Sequence, residues 1–325
     1  MNTISKIFGS AFALGLVMSG IAGTVQAADY PKKTITFVVP FGAGGGTDRW
    51  ARIMSSAAFD VWGHGWRVRN VPGASGVKGW KWMNERPADG HTIYMASPTP
   101  IVALARETKP VVDPLKDVKV CALIGFFRPN VAIHKGMPYK DYNSLIEYAK
   151  KNPEKVTVGG SGSNLLGGAV LFSQAGAKVT YVTYPGTGPA VTDFLGKHVN
   201  VLVTVDEILQ GLAPEKAIVV ATSSNKAHPD GYEKAVGNKV LQPKDLGYKD
   251  SFTALRWIGV HPKTPDSICK TVSDNMKGTL EFKPVANLFK KIKASAVFTP
   301  MEEAQKEYVD MVNGTRSGAK LLKKK

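Results

Sequence analysis

A glycine-rich segment, residues 40–46, joins an apolar run to a helical pattern and constrains the fold more than any other stretch of the chain. The run Thr34–Val39 is typical of a buried β-strand, and a helix is predicted over about Asp48–Phe59. Glycines at such a junction leave backbone N–H groups exposed at the helix N-terminus, where the positive end of the helix dipole attracts anions. The segment therefore predicts either an anion-binding site or a tight turn without a ligand.

The spacing of the glycines argues against a nucleotide as the anion. A dinucleotide-binding turn needs G-x-G-x-x-G or G-x-G-x-x-A, and although Gly42 and Gly44 fit, Thr47 occupies the third position. A phosphate-binding loop needs Lys followed by Ser or Thr after its last glycine, and Asp48-Arg49 stands there instead.

Strand and helix patterns alternate along the chain. Strands are predicted at Trp66–Asn70, Thr92–Ala96, Cys121–Gly125 and Asn130–His134, and a helix at Tyr142–Lys151. Such alternation indicates an α/β fold, in which a mainly parallel sheet is covered by helices on both faces.

Two further glycine-rich turns, residues 159–164 and 185–189, each lie between a predicted strand and a predicted helix. Capping of the following helix accounts by itself for Ser161, Ser163 and Thr187. The alternative is a shared anion site, because ligands of α/β proteins gather at the carboxyl ends of parallel strands.

Support for catalysis is weak. The histidines lack the spacing of metal ligands, and no G-x-S-x-G motif is present. Asp206 and Glu207 follow a predicted strand, Val199–Val205, where they could act as acid or base or could cap the next helix. We predict no catalytic residue, no bound metal and no cofactor.

The N-terminus has the features of a secretory signal peptide. Lys6 precedes a short apolar stretch, Ile7–Val17, and Val25-Gln26-Ala27 forms a small-residue cleavage site. We expect cleavage after Ala27 and export to the periplasm. There, Cys121 and Cys269 could form one disulfide or remain two buried thiols.

The formal net charge is +16, from 42 basic and 26 acidic residues. The sequence contains no recognised nucleic-acid-binding module, and export argues against such a partner. A basic surface suits the attraction of small anions from solution.

Several motifs in order along the chain carry a family resemblance. They are Val38-Val39-Pro40-Phe41-x-Ala43-Gly44-Gly45-x-x-Asp48, Asn70-x-Pro72-Gly73-Ala74-x-Gly76, Pro87-Ala88-Asp89-Gly90-x-Thr92, Ser161-Gly162-x-x-x-Leu166, Tyr184-x-Gly186-x-x-Pro189-Ala190 and Trp257-x-Gly259-Val260-x-Pro262. In these motifs the chain resembles the extracytoplasmic solute-binding receptors of tripartite tricarboxylate transporters, the Bug-type receptors. It departs from them at Leu165, where the family often has His, and at Pro185, where it often has Lys.

The resemblance implies a type II periplasmic-binding-protein fold, with two lobes joined by two crossover strands. Lobe one would comprise residues 28–127 and 225–325, and lobe two residues 128–224, after a signal peptide at 1–27. A monomeric receptor of this kind would capture a small carboxylate between its lobes and deliver it to the membrane permease subunits of the transporter.

The resemblance also implies which residues line the ligand cleft. Asp48 would order its own turn, because its charge repels an anion. The implied ligand-binding residues are Phe41, Ala43, Gly44, Gly45, Thr47, Asp48, Ser97, Ser161, Gly162, Ser163, Asn164, Tyr184, Thr187, Gly188 and Asp206.

Two other functions stay open at this point. An exported enzyme acting on a carboxylate would need a reactive group at the cleft, for which only Asp206 or Glu207 is suggestive. A ligand-sensing component of a membrane signalling system would share the same fold and binding. Within the carboxylates, the sequence leaves open whether the ligand is a di- or tricarboxylate, an aromatic acid or an amino acid.

Overall fold

The computed structural model describes residues 30–322, so the expected signal peptide lies outside the described residues. The strands are β1 Ile35–Val39, β2 Trp66–Asn70, β3 Thr92–Ala96, β4 Lys119–Phe127, β5 Asn130–His134, β6 Thr157–Gly160, β7 Thr180–Thr183, β8 Val201–Thr204, β9 Ala217–Thr222 and β10 Ala254–Val260. The helices are α1 Gly46–Ser55, α2 Ala58–Trp62, α3 Val77–Asn84, α4 Thr99–Leu104, α5 Tyr142–Lys151, α6 Gly162–Gln174, α7 Thr187–Leu195, α8 Asp206–Leu209, α9 Tyr232–Val236, α10 Asp266–Glu281, α11 Lys283–Lys291 and α12 Met301–Gly318. Short 3-10 helices occur at Ala74–Gly76, Pro243–Leu246 and Ala319–Leu322.

The strands form two five-stranded sheets, one in each lobe. The first has the order β2-β1-β3-β10-β4 and the second the order β7-β6-β8-β5-β9. In each sheet a single strand, β10 or β5, runs antiparallel to both of its neighbours. The chain enters these two strands when it changes lobes, from β4 to β5 and from β9 towards β10.

The inner strands of both sheets are buried on both faces, which explains their apolar sequences. In β1, Phe37 packs in the core on one face of the first sheet, whereas Val38 packs in the core on the other. In β5, Val131 and Ala132 divide in the same way between the two cores of the second sheet. This alternation follows from the two-residue period of a strand.

Most of the predicted elements are confirmed. The bounds of β2, β3, β5 and α5 are those expected from the sequence. The helix predicted over Asp48–Phe59 is instead two helices, because α1 ends at Ser55 and α2 begins at Ala58. The segment Ser97–Pro100 follows β3 and includes the start of α4, where proline is tolerated in the first turn.

Residues 225–252 lie on the second lobe. Tyr232 and Val236 pack in the core beside Phe194, and Leu241 forms a bridge with Ala221 of β9. The expected boundary at 224/225 placed this segment in lobe one, and its packing contradicts that assignment. We propose that the chain returns to the first lobe near residue 253, immediately before β10.

The two cysteines form a disulfide between β4 and α10. Cys121 and Cys269 are both fully buried in the core of the first lobe. The sequence left open either a disulfide or two buried thiols, and the structure has the disulfide.

Candidate functional site

The first-lobe turn, residues 40–46, follows β1 and leads into α1. Its tip, residues 42–44, is exposed, and Gly44 has a φ of 80°, in the left-handed region that favours glycine. Gly45 precedes α1, and no side chain caps this helix. Because the first N–H groups of a helix have no acceptor within it, this turn presents backbone donors at the carboxyl end of the sheet.

Asp48 stabilises this turn through hydrogen bonds within lobe one. Asp48 is 2% exposed, and its carboxylate accepts hydrogen bonds from the Gly44 N–H at 2.8 Å, Asn70 Nδ2 at 2.9 Å and Arg52 Nε at 2.9 Å. Burial raises the pKa of Asp48, but the hydrogen bonds from Arg52, Gly44 and Asn70 outweigh burial and hold it below its usual value. The carboxylate is thus ionised and fully engaged within lobe one.

The second-lobe turns lead into α6 and α7. Gly162, Ser163 and Asn164 are buried in the first turn of α6, whereas Thr187 and Gly188 open α7 at the surface. No side chain of its own segment caps either helix, so the capping role considered for Ser161, Ser163 and Thr187 is wrong.

Tyr184 follows β7 and is engaged within lobe two. Its hydroxyl donates to Asp193 Oδ2 at 2.7 Å. Burial, together with Asp193, raises the pKa of Tyr184 to about 12, so the phenol remains a neutral donor.

Hydroxyl groups join the two lobes at the base of the site. Thr99 at the start of α4 places Oγ1 2.9 Å from Ser163 Oγ and accepts the Ser163 backbone N–H at 3.2 Å. On the other side, Ser97 Oγ donates to Thr99 Oγ1 at 3.3 Å. The structure thus connects the predicted Ser97 and Ser163 through Thr99, which the sequence analysis did not identify.

Asp206 lies in a buried polar cluster at the junction of the lobes. It accepts hydrogen bonds from Arg128 and from Asn130 Nδ2, the latter at 2.7 Å, and His228 Nδ1 is 3.2 Å away. Arg128 also donates to Ser295 Oγ of the first lobe at 2.7 Å.

The neighbouring Glu207 reaches into the first lobe. One of its oxygens lies 3.3 Å from both Trp50 Nε1 of α1 and an Arg256 amino group on β10. Arg256 in turn stacks over the ring of Trp50 at 4.5 Å.

These contacts revise the roles expected for the two acids. Asp206 and Glu207 lie in the first turn of α8, where acids suit the helix dipole, but the residue that precedes the helix is Val205 and no side-chain cap hydrogen bond forms there. Both carboxylates are more than nine-tenths buried and face cations, which places them in the framework of the lobe junction.

The remaining predicted residues fall into separate groups. Within residues 30–322, no hydrogen bond joins the turn Phe41–Thr47 to the start of α7, Thr187–Gly188. A cavity of about 590 Å³ beside Ala43 and Gly44 is lined only by first-lobe residues, including Arg49 and Leu288.

Two arginines that the sequence analysis missed had a signal in the sequence. Arg256 interrupts the apolar strand β10, and Arg128 stands between the apolar strands β4 and β5. A charge within an apolar run must find a buried partner, so each position predicts an ion pair. Thr99 carries no such signal, since a threonine beside prolines is common in any turn.

Over the part of the chain that the structure describes, no helix is long and apolar enough to cross a membrane. Residues 30–322 also contain no group of three or more His, Cys, Asp or Glu side chains placed to hold a metal ion.

The structure has two α/β lobes that are linked by two crossings of the chain, and the turns after their strands face each other. This arrangement defines a two-lobe periplasmic-binding-protein fold. The chain belongs to the tripartite tricarboxylate transporter family receptor group, whose family model matches residues 51–323.

Individual proteins are similar to this chain in sequence or in fold. Protein BugT of Bordetella pertussis is 28% identical over 288 residues, which cover 84% of each chain. The structure titled "R. palustris Rpa4515 with adipate" has a TM-score of 0.78 at 21% identity and covers 90% of this chain and 98% of its own. The structure of MatC from Rhodopseudomonas palustris with bound malate has a TM-score of 0.77 at 20% identity and covers 90% of this chain and all 100% of its own.

Proposed function

We propose that this receptor binds a small carboxylate between its lobes and presents it to the membrane subunits of a tripartite transporter. The observation that carries the proposal is the exposed glycine turn at the start of α1, whose one acid, Asp48, is fully occupied by its own lobe. Backbone donors with no competing free negative charge at a helix N-terminus are suited to an anion.

The proposed contacts come from both lobes. The turn from Phe41 to Thr47 supplies donors from lobe one, and the start of α7 supplies donors from lobe two. The start of α6 lines the base of the site, where its Ser163 N–H is bonded to Thr99 Oγ1. Because the ligand contacts both lobes only when they approach, its binding favours the closed state by the difference in its affinity for the two states.

Carboxylates are the favoured ligand class because adipate and malate, both dicarboxylates, are bound by two proteins with this fold. We propose further that the mature protein begins after Ala27, acts in the periplasm as a monomer and performs no chemistry on its ligand. Glu207 and Asp206, the acids considered for catalysis, are held by Arg256 and Arg128.

A thermal-shift screen tests the ligand class. A carboxylate present at 100 times its dissociation constant adds about 2.7 kcal/mol of apparent stability, which raises the melting temperature. The matched panel contains neutral sugars and the amides of the same acids. The proposal fails if sugars or amides raise the melting temperature and no carboxylate does.

A further inference from the structure

The contact between Thr99 and the start of α6 connects the two lobes beside the proposed site. Thr99 follows β3 at the carboxyl end of the first sheet, and α6 follows β6 at the carboxyl end of the second. The contact therefore spans the two edges between which a ligand would be held.

The contact has two parts, and the polar part is a helix cap supplied by the other lobe. The Ser163 backbone N–H, one of the N-terminal groups of α6 that has no acceptor inside the helix, donates to Thr99 Oγ1 at 3.2 Å. No side chain of α6 or of its preceding residue provides this acceptor. Thr99 thus does for α6 what an N-cap residue normally does from within the same segment.

The apolar part is a notch at Gly162. A Cβ atom on this residue would lie 2.1 Å from Thr99 Cγ2 and 2.7 Å from Thr99 Cβ, far inside contact distance. Gly162 also has a φ of 41°, a backbone conformation that residues with a side chain rarely adopt. Thr99 can therefore pack against the helix because residue 162 has no side chain.

We propose that Thr99 is a positioning residue for lobe closure, which caps α6 across the cleft and thereby stabilises the closed state. When the lobes separate, water can replace the hydroxyl at the Ser163 N–H. In the structure, Thr99 and Ser163 are both more than nine-tenths buried, and within residues 30–322 Thr99 Oγ1 is the acceptor of this donor. This inference rests on the proposed function only in that a receptor closes on its ligand.

Thr99→Val tests the cap, because valine keeps the shape of threonine and removes the hydroxyl. Thr99→Ser keeps the hydroxyl and removes the methyl group at the notch. Thr271→Val is the matched control, since it removes a hydroxyl that donates within α10 to Ser267 O, in the first lobe.

The first readout is the interlobe distance without ligand, measured by double electron–electron resonance. Spin labels at Asp60→Cys on α2 and Glu147→Cys on α5 report on the two lobes, since both residues are exposed and the native cysteines are bridged. We expect Thr99→Val to shift the distance distribution towards longer values, whereas Thr271→Val matches the wild type and Thr99→Ser lies nearer to the wild type than Thr99→Val does.

The second readout is affinity for the best carboxylate of the screen, measured by calorimetry. Leaving the Ser163 N–H buried without an acceptor should weaken binding at least about fivefold in Thr99→Val, mainly through faster release. An unchanged ligand-free distance distribution in a folded Thr99→Val protein would overturn the inference, as would tighter binding, which would mean that Thr99 competes with the ligand. If no carboxylate binds the wild type, the proposed function fails while the ligand-free distances still decide the role of Thr99.

Discussion

At the scale of single residues, Asp48 shows how a negative charge can belong to a turn that is proposed to bind an anion. The acid lies beside backbone donors, yet its oxygens already accept hydrogen bonds from Gly44, Asn70 and Arg52. This arrangement fixes the left-handed glycine and holds the donors of the turn in one geometry. The sequence predicted that Asp48 orders its own turn, because an anionic ligand and a free carboxylate would repel each other.

The lowered pKa of Asp48 leads to a pH-dependent prediction. Because the folded pKa lies below the unfolded value of about 3.9, this acid stabilises the fold above that pH, and the contribution is lost as pH falls through the folded pKa. Asp48→Asn should therefore lower the free energy of unfolding by about 1–3 kcal/mol at pH 7 and by less in acid. Urea titrations at several pH values measure this, with Asp60→Asn on the exposed face of α2 as the control. An equal loss at every pH would contradict the assignment.

At the scale of elements, local pattern predicted most of the fold. The apolar run of β1 and the stop signal at Asn152-Pro153 after α5 are sufficient to place those elements. Tyr232 and Val236 are equally apolar, but nothing in their local pattern says which of two sheets they cover, so the lobe assignment of residues 225–252 was wrong. The contact of Thr99 with α6 spans 64 residues of sequence and depends on a notch that only the assembled lobes create.

Gly162 gives a prediction at this scale. Gly162→Ala adds a Cβ atom that clashes with Thr99, and it places alanine at a backbone φ of 41°. We therefore expect a loss of more than about 1 kcal/mol in the free energy of unfolding. Gly188 occupies the second position of α7 and has no atom within 4 Å of an added Cβ. Gly188→Ala should accordingly be neutral or stabilising by up to about 1 kcal/mol. Similar effects of the two substitutions in denaturant titrations would contradict the notch.

At the scale of the whole molecule, the lobes meet through buried polar groups as well as through apolar packing, in which Val102 of α4 and Leu322 lie in the core of the second lobe. Glu207 contacts Trp50 and Arg256, and Arg128 bridges Asp206 and Ser295. Burial lowers the pKa of Arg256, and Glu207 opposes this change. Because an unpaired buried charge is costly, these pairs favour one mutual arrangement of the lobes. Each arginine could be predicted to need a partner from sequence, but the identity of the partner depends on how the lobes dock.

The most direct test of the account places a charge beside the proposed ligand without disturbing the fold. Gly188 is exposed at the start of α7, where an acid is compatible with the helix dipole. A charge about 4 Å from a carboxylate repels it by about 4 kcal/mol at an effective dielectric of 20, and a third of that weakens binding about tenfold.

Calorimetry should therefore show binding at least about tenfold weaker in Gly188→Asp than in the neutral, equally sized Gly188→Asn, with a smaller difference at high salt. Both variants should unfold at nearly the same denaturant concentration. Equal affinity of Gly188→Asp and Gly188→Asn for a carboxylate that binds the wild type would contradict the claim that the start of α7 receives the ligand.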